Sequence, residues 1–527
     1  MKTHFSATFF LCCTGILILS QGLGQGIKNS GGYIRGSTGS YLCFNGSGNA
    51  YFEDSDTAGT ILGNVVVDFT STAYKLIVKD NSFLTCENLL LGDSLFLKAS
   101  SGSMASLITT NSVQGSPVAL VEQYVKGNQW HLVGSPLSNG RAKVYTGMYL
   151  RSFSETTNSW SWITAPNTLL VVGKGYSVWS ASNVTAQFKG FLNTGDKSPA
   201  VTYTAPPTGS GGWNLLGNPF PSTLEWNSNW TKSKIDATVY VFDGTQYLTW
   251  NYNLGGYGTM GNGRLPSTQG FWVKANASSP SITIPNSERL HTSQQFYKDA
   301  ELLSNVLKLK VTGKNYSDEV LIHFNAYGTE GFDSEYDAFK LAGIPEAPQL
   351  YSIIPSAILA VNVLPPILDN VVVPLGFVPG MAKDYTMQAL ELSSFDPNVS
   401  IYLEDLFLKK MINLKLNPYY SFSLSAEVAP ERFLLHFSPA KDLLGDIVIA
   451  EPYVNIYSYE KSIYIKFFNF EVVSGEVQVI NVQGQLVYAG QLENASLNRI
   501  NLEQKSGYYF VKIKNNTYLC TEKVLIW

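Results

Sequence analysis

A chain of 527 residues has room for roughly three to five domains of about 100–200 residues each. Its 36 Lys and Arg against 40 Asp and Glu leave a formal charge of −4, which argues against the basic surface of a nucleic-acid-binding protein. Only 14% of residues are charged and 45% are hydrophobic, so the composition is not that of a disordered chain. The 68 aromatic residues (30 Tyr, 28 Phe, 10 Trp), with 45 Gly and 23 Pro, point instead to many short strands joined by tight turns. The expected class is all-β.

Residues 1–24 read as a secretory signal peptide. Lys2 and His4 form a basic start, and Phe9 to Leu19 is an apolar core. Eleven residues are too few to cross a hydrocarbon layer of about 30 Å as a helix. Gly22-Leu23-Gly24 supplies a small-x-small pattern, which places cleavage between Gly24 and Gln25. Cys12 and Cys13 lie inside the apolar core, not just after it, which counts against a lipoprotein. The most apolar later stretch, Ile353 to Val378, contains Pro355, Pro365, Pro366 and Pro374. Each proline would cost a helix about 3 kcal/mol or more, so strands and loops are expected there and no membrane span in the mature chain. After cleavage three cysteines remain, Cys43, Cys86 and Cys520. Cys43 and Cys86 are candidates either for a disulfide or for two small buried side chains.

Residues 25–125 alternate in short pieces, such as Tyr74 to Val78 and Leu95 to Leu97, with Gly92-Asp93 and Ser101-Gly102 between them. This reads as an N-terminal β domain, solenoid-like or sandwich-like. An internal repeat follows. Trp130-His-Leu-Val-Gly-Ser-Pro136 matches Trp213-Asn-Leu-Leu-Gly-Asn-Pro219 at an offset of 83 residues. Gly175-Tyr176-Ser177-Val178-Trp179 resembles Gly270-Phe271-Trp272-Val273 at an offset of 95. The extra residues are assigned to a glycine-rich insertion at Gly255–Gly263. Each copy carries an aromatic hairpin, Tyr149–Trp160 and Val239–Trp250. The two β repeat units are placed at 126–207 and 208–292, with Trp130 and Trp213 both expected to be largely buried. Residues 293–448 form a β-sandwich domain, with Val320–Phe324 and Arg432–Phe437 as central strands. Residues 449–527 contain about seven strands' worth of alternation and form the last module.

The search for chemistry finds little. Gly256-Tyr-Gly-Thr-Met-Gly261 has dinucleotide-loop spacing, but Asn262-Gly263-Arg264-Leu265-Pro266 cannot open the helix that such a site needs. It reads as a hairpin loop. His131, His323 and His436 sit singly on alternating strands and His291 in a linker, so structural histidines are expected. Asp333, Glu335 and Asp337 offer three oxygen donors at alternate positions, either for Ca²⁺ or for an Asx turn. The 12-residue calcium-loop pattern is absent. No catalytic, cofactor or metal residue is assigned. Trp160, Trp162, Trp226, Trp230 and Trp250 fall in loop-like or hairpin contexts, where rings could stack on sugars; core packing accounts for most of them.

The last module resembles the type A C-terminal sorting domains of proteins exported by the type IX secretion system of Gram-negative bacteria. The residues that carry the resemblance are Val479-Ile-Asn-Val-Gln-Gly484, Ser506-Gly-Tyr-Tyr-Phe-Val-Lys-Ile513 and the ending Glu522-Lys-Val-Leu-Ile526. The rest resembles a β-rich passenger found beside that domain. Gly212 to Ser222 follows its GWNLxGNPxPS signature, Phe332 to Lys340 its FDxxYDAxK segment and Arg432 to Phe437 its RFxLHF strand. The resemblance implies tandem β-sandwich-type domains ending in an Ig-like sorting sandwich. It also implies passage through the periplasm, engagement of the outer-membrane type IX machinery, and an extracellular or outer-membrane-surface location. The sorting signal is assigned to Gly484, Gly507, Lys512 and Lys523. A non-enzymatic protein of adhesion, matrix or glycan contact is expected, with surface glycans or envelope proteins as partners. The alternative is a secreted hydrolase acting on polysaccharide through an unrecognised carboxylate site.

Overall fold

A computed structural model describes residues 16–19, 25–29, 34–35, 39–56, 60–115, 119–292, 303–424, 432–439, 453–459, 461–468, 473–495, 497–514 and 519–526. Their regular structure is nearly all β, and no helix reaches seven residues. None is long and apolar enough to cross a membrane among the described residues. The chain divides into two compact units, residues 1–302 with 334–344, and residues 303–333 with 345–527.

The first unit begins with two stacks of parallel strands. One stack holds Gln25–Asn29, Ala50–Asp54, Lys75–Val78, Ser94–Leu97 and Ala119–Val125. The other holds Ile16–Leu19, Tyr41–Phe44, Thr60–Val67, Phe83–Leu91 and Ser106–Gln114. Alternate residues such as Leu76, Val78, Leu95 and Leu97 are fully or almost fully buried. Parallel stacking on two faces makes this a solenoid. Asn88 Nδ2 donates to Asn64 Oδ1 at 2.9 Å, and Asn111 Nδ2 to Asn88 Oδ1 at 2.9 Å, a polar ladder along successive turns. The open edge is closed by Val184–Gly190, which pairs antiparallel with all of Ala119–Val125. Strand pairing therefore crosses the 125/126 position. The solenoid core runs on into Tyr145, Leu150, Tyr176 and Val178.

Of residues 1–24, expected to be a leader, all but Ile16–Leu19, Gly24 included, lie outside the described residues; Gln25 opens a strand. Cys43 and Cys86 are free thiols. Their strands flank Thr60–Val67 on opposite sides, about 10 Å apart at ordinary strand spacing, beyond the roughly 7 Å a disulfide spans. Burial pushes the Cys86 thiol up to about 12.

Two four-stranded antiparallel sheets follow, with the same strand order. The first runs Gln129–Gly134, Gly175–Ser180, Tyr149–Ser154, Ser159–Trp162; the second runs Trp213–Gly217, Gly270–Lys274, Thr238–Phe242, Tyr247–Asn251. Gly134 lies opposite Gly175 in the first, and Gly217 opposite Gly270 in the second. The sheets meet at these glycines. A Cβ on Gly134 would stand 2.7 Å from Gly217 Cα, and one on Gly175 would stand 2.3 Å from the Leu216 carbonyl oxygen. Backbone cannot yield as a side chain can. Gly134→Val is expected to cost about 1–3 kcal/mol, read as a lower midpoint of thermal unfolding.

The second unit is built on one long sheet. Its order is Lys410–Asn413, Ser400–Asp405, Phe433–Ser438, Val371–Val378, Gln349–Ile354, Ala357–Leu364, Tyr316–Phe324, Val306–Gly313, Asp384–Leu390, Tyr419–Ser423. The sheet curls until its ends share a core: Phe422 packs on Phe433 at 5.0 Å and on Phe377 at 5.3 Å. The last module is a sandwich of three strands (Tyr453–Tyr459, Ser462–Phe468, Leu497–Asn501) and four (Leu486–Gln491, Glu476–Asn481, Gly507–Lys514, Leu519–Ile526). Ile463, Ile465, Val477, Val479, Val511 and Ile526 fill the space between them.

Candidate functional site

Alternation along the first four-stranded sheet puts Trp130, Trp179, Tyr149, Arg151, Phe153, Trp160 and Trp162 on one face. Trp130 lies opposite Trp179, which lies opposite Tyr149, and Arg151 lies between Ser177 and Trp162. The Arg151 guanidinium sits 3.9 Å from the Trp130 ring centre and 4.3 Å from that of Trp160, well within cation–π range. Its Nε–H donates to Ser177 Oγ at 3.4 Å. No carboxylate lies within ion-pair distance of it among the described residues. Burial lowers its pKa from the usual guanidinium value. Beside it Trp162 is 58% exposed and Tyr149 60%.

Of the five tryptophans considered for sugar stacking, Trp226 and Trp230 are buried, with their indole N–H groups donating to the Ala237 and Glu225 carbonyls at 2.7 Å. Trp250 lies under the glycine-rich loop, where a Cβ on Gly256 or Gly263 would strike its ring. That closeness, not a phosphate, accounts for the glycines. Trp130 and Trp213 are half-buried, against the expectation of largely buried. They lie on the aromatic face instead of beneath it.

On the second sheet the corresponding face carries a segment of the same unit, Ser334–Ile344. The Ala237 N–H donates to the Ser334 carbonyl at 3.0 Å, Asn251 Nδ2 to Glu335 O at 2.9 Å, and Tyr257 O–H to Tyr336 O at 2.6 Å. Thr238 Oγ1 donates to Asp337 O at 3.2 Å, and the Phe339 N–H donates to the Tyr240 hydroxyl at 3.0 Å. Asp333, Glu335 and Asp337 do not converge; among the described residues no three His, Cys, Asp or Glu side chains are placed to hold a metal ion.

The histidines are held by their surroundings. His291 bridges Thr85 Oγ1 at 2.8 Å and Ser106 Oγ at 2.7 Å, and burial together with Arg289 pushes it down to about 4. Burial pushes His323 down to about 4 as well. Both are neutral in the fold and take up a proton on unfolding below pH 6.5. Their contribution to stability is full above pH 6.5 and is lost as pH falls toward 4. Thermal unfolding is expected to come earlier at pH 5 than at pH 7, and His291→Asn with His323→Asn to narrow that difference.

A recess of about 200 Å³ lined by His131, Gln123, Ser222 and Thr268 contains no carboxylate. His131 Nε2 is 2.9 Å from the Lys126 carbonyl. The buried Glu155 is committed to Thr202 Oγ1 and to the Thr204 and Gly212 N–H groups, at 2.8 to 3.0 Å. Asp236 is pushed up to about 6 by burial and accepts from Asn276 at 2.9 Å.

In the second unit the strand Ser400–Asp405 ends in two buried acids. Asp405 accepts from Arg432 Nη2 at 2.5 Å and from the Tyr420 O–H at 2.7 Å. Glu404 accepts from the Tyr457 O–H at 2.5 Å and from His436 Nε2 at 2.8 Å, with Lys466 Nζ 3.7 Å away. Tyr457 and Lys466 come from the last module, so Glu404 joins that module to the curled sheet. Sequence analysis did not single out Arg151 or Glu404. The available signals were Tyr149-x-Arg151-x-Phe153 facing Trp160-x-Trp162, and an acid within the apolar strand Ile401–Leu406.

Within the last module Gly484 has φ +81° in the Asn481–Gln485 turn, the left-handed region that favours glycine. Gly507 begins a strand. Lys512 and Lys523 lie on the outward face, Lys512 opposite Thr521 and Lys523 opposite Phe510. Lys523 Nζ stands 4.8 Å over the Tyr508 ring. Leu486, Tyr508, Phe510 and Leu525 share this exposed side.

Residues 459–527 match a family described as a secretion system C-terminal sorting domain. This is the type IX module, which implies interaction with the secretion machinery and export to the cell surface or extracellular space. No curated protein matches the chain. Among solved structures it has a likeness to the Bacillus anthracis TIE protein, at 10% identity over 78% of this chain and 69% of that one. The TM-score of 0.10 is too low for that likeness to carry an argument. Residues 61–437, well over half of the sequence, match a second family model, and the chain belongs to that family, described as "Domain of unknown function (DUF8693)".

Proposed function

We propose that the chain is a non-enzymatic surface protein that acts by contact, in adhesion, matrix building or glycan binding. In this reading a leader is cut between Gly24 and Gln25, and the last module directs passage through the outer membrane. Gly484, Gly507, Lys512 and Lys523 form the face that the machinery reads. One observation supports a contact role above the others: on the aromatic face of the first sheet, Trp162 and Tyr149 are exposed beside an Arg151 that has no carboxylate partner among the described residues. Rings so exposed are unfavourable in water and favourable against the apolar face of a ligand.

Screening the mature chain, from Gln25 onward, on a glycan array and on whole cells tests this reading. Binding is expected, with Trp162→Ala reducing it while circular dichroism stays unchanged. Absence of binding to every surface, or binding indifferent to Trp162, would contradict it.

A further inference from the structure

We propose that the open face of the first sheet docks an extended acidic segment of another polypeptide, with Arg151 as its charged anchor. This rests on the contact reading above and names the partner class for that face.

The argument comes from the second sheet, where the corresponding face is occupied. Counting from the paired glycines sets the correspondence. Arg151 lies opposite Ser177, two residues after Gly175; Tyr240 lies opposite Trp272, two residues after Gly270. Arg151 and Tyr240 are therefore equivalent, as are Trp130 and Trp213. Trp162, opposite Arg151, then corresponds to Thr249, opposite Tyr240. On the second sheet the segment Ser334–Ile344 lies over Thr238, Tyr240 and Trp213, while Thr249 is hydrogen-bonded to Thr259 of the glycine-rich loop. The segment's backbone is held by Ala237, Thr238 and Tyr240, and the Phe339 ring stands 6.1 Å from Trp213 and 5.0 Å from Lys274 Nζ. Tyr240 is 1% exposed there, whereas Tyr149 and Trp162 on the first sheet are 60% and 58% exposed. One face of this architecture thus holds an extended peptide, while its counterpart is open at Tyr149 and Trp162 and closed at its other end, where Phe153 and Trp160 pack on Trp272 of the second sheet at 4.9 and 6.0 Å.

The substitution between the two faces states the chemistry of the missing partner. Where Tyr240 offers a hydroxyl to a peptide N–H, Arg151 offers a cation. A partly desolvated guanidinium without a counter-ion is unfavourable, and stacking on Trp130 and Trp160 offsets only part of that. A carboxylate reaching its Nη N–H groups would form a charge-assisted, bidentate pair. An extended segment, with side chains alternating at two-residue spacing, places an acid on Arg151 and an aromatic ring against Trp162 or Tyr149.

The probe is a fluorescent peptide of residues 334–344, which carries Glu335, Asp337, Tyr336 and Phe339, titrated with the mature chain and followed by anisotropy. Saturable binding is expected. Arg151→Gln and Trp162→Ala should each weaken it about tenfold. A peptide with Glu335→Gln and Asp337→Asn should bind as weakly, and Arg151→Gln should then add no further loss. Circular dichroism and thermal unfolding identify any variant that has lost its fold; Arg151→Lys, which keeps the charge, then serves as the second variant and should retain more binding than Arg151→Gln. Absence of peptide binding, or binding indifferent to Arg151 and to the peptide's acids, overturns the inference. If glycans bind this face through Trp162 while the peptide does not, the contact reading stands and this inference fails. If neither binds, both fail.

Discussion

Replacing Glu404 by Ala is expected to cost about 3–5 kcal/mol of stability, because it removes the shared acceptor of a buried network. The Tyr457 hydroxyl and His436 Nε2 would be left buried without that acceptor, and Lys466 would lose its carboxylate neighbour. Burial alone would raise the Glu404 pKa; hydrogen bonds from His436 and Tyr457, with the Lys466 charge, outweigh it and hold the carboxyl below the usual range. Its contribution is therefore full above about pH 4.5 and is lost as pH falls through the lowered value. Because two of the partners come from the last module, calorimetry should show that module unfolding apart from the curled sheet. Around the network Leu434, Tyr457 and Tyr464 pack together, with Val372 and Leu406 against them. Deleting the module would expose this apolar patch while breaking no strand ladder between the two among the described residues. The truncated chain should fold with lower solubility. A loss below 1 kcal/mol on Glu404→Ala would mean that the network is not a joint.

Arg432→Leu is expected to be at least as damaging, again about 3–5 kcal/mol, because it strands Asp405 in the core. Arg432 is 3% exposed and Asp405 0%. The guanidinium also stands 4.6 Å from the Phe422 ring and 5.0 Å from that of Phe433, so it supports the seam where the curled sheet meets itself. Burial alone would raise the Asp405 pKa, but the Arg432 pair and the Tyr420 and backbone hydrogen bonds lower it overall. Replacing Arg432 alone should therefore be worse than replacing Arg432, Asp405 and Tyr420 together by apolar residues of matching volume. Urea denaturation of both variants checks the order.

The all-β class was legible because period-two alternation, as in Val306–Val311, reports which residues face a core. It does not report the partner strand. The parallel stacking of the solenoid was therefore only one of two readings, and the closure of its edge by Val184–Gly190 was not visible at all. Trp130 and Trp213 lie on strands of two sheets of equal strand order, and their burial was misjudged. An aromatic residue on an alternating strand can face a core or an open surface with the same spacing. Trp226 and Trp230 show the reverse case, core residues in a stretch that reads as loop. Asp333, Glu335 and Asp337 read either as an ion site or as an Asx turn because acids alternate there, whereas the structure uses the backbone of the segment, residues 334–344. Its role in the fold is carried by its backbone carbonyls, which no side-chain pattern announces. Arg151 and Glu404 escaped because each acts through partners distant in sequence.

The sorting account is tested most directly by surface delivery. Protease accessibility on intact cells would compare the full chain, a chain lacking residues 449–527, and the Lys512→Glu, Lys523→Glu double variant. Exposed charge reversals away from buried networks cost within about 0.5 kcal/mol, so the double variant should fold normally. The account predicts that the full chain reaches the surface while both the truncated chain and the charge-reversed chain accumulate in the periplasm. Retention of the truncated chain alone would show that the module sorts without these lysines as its read-out. Undiminished delivery of the truncated chain would contradict the account.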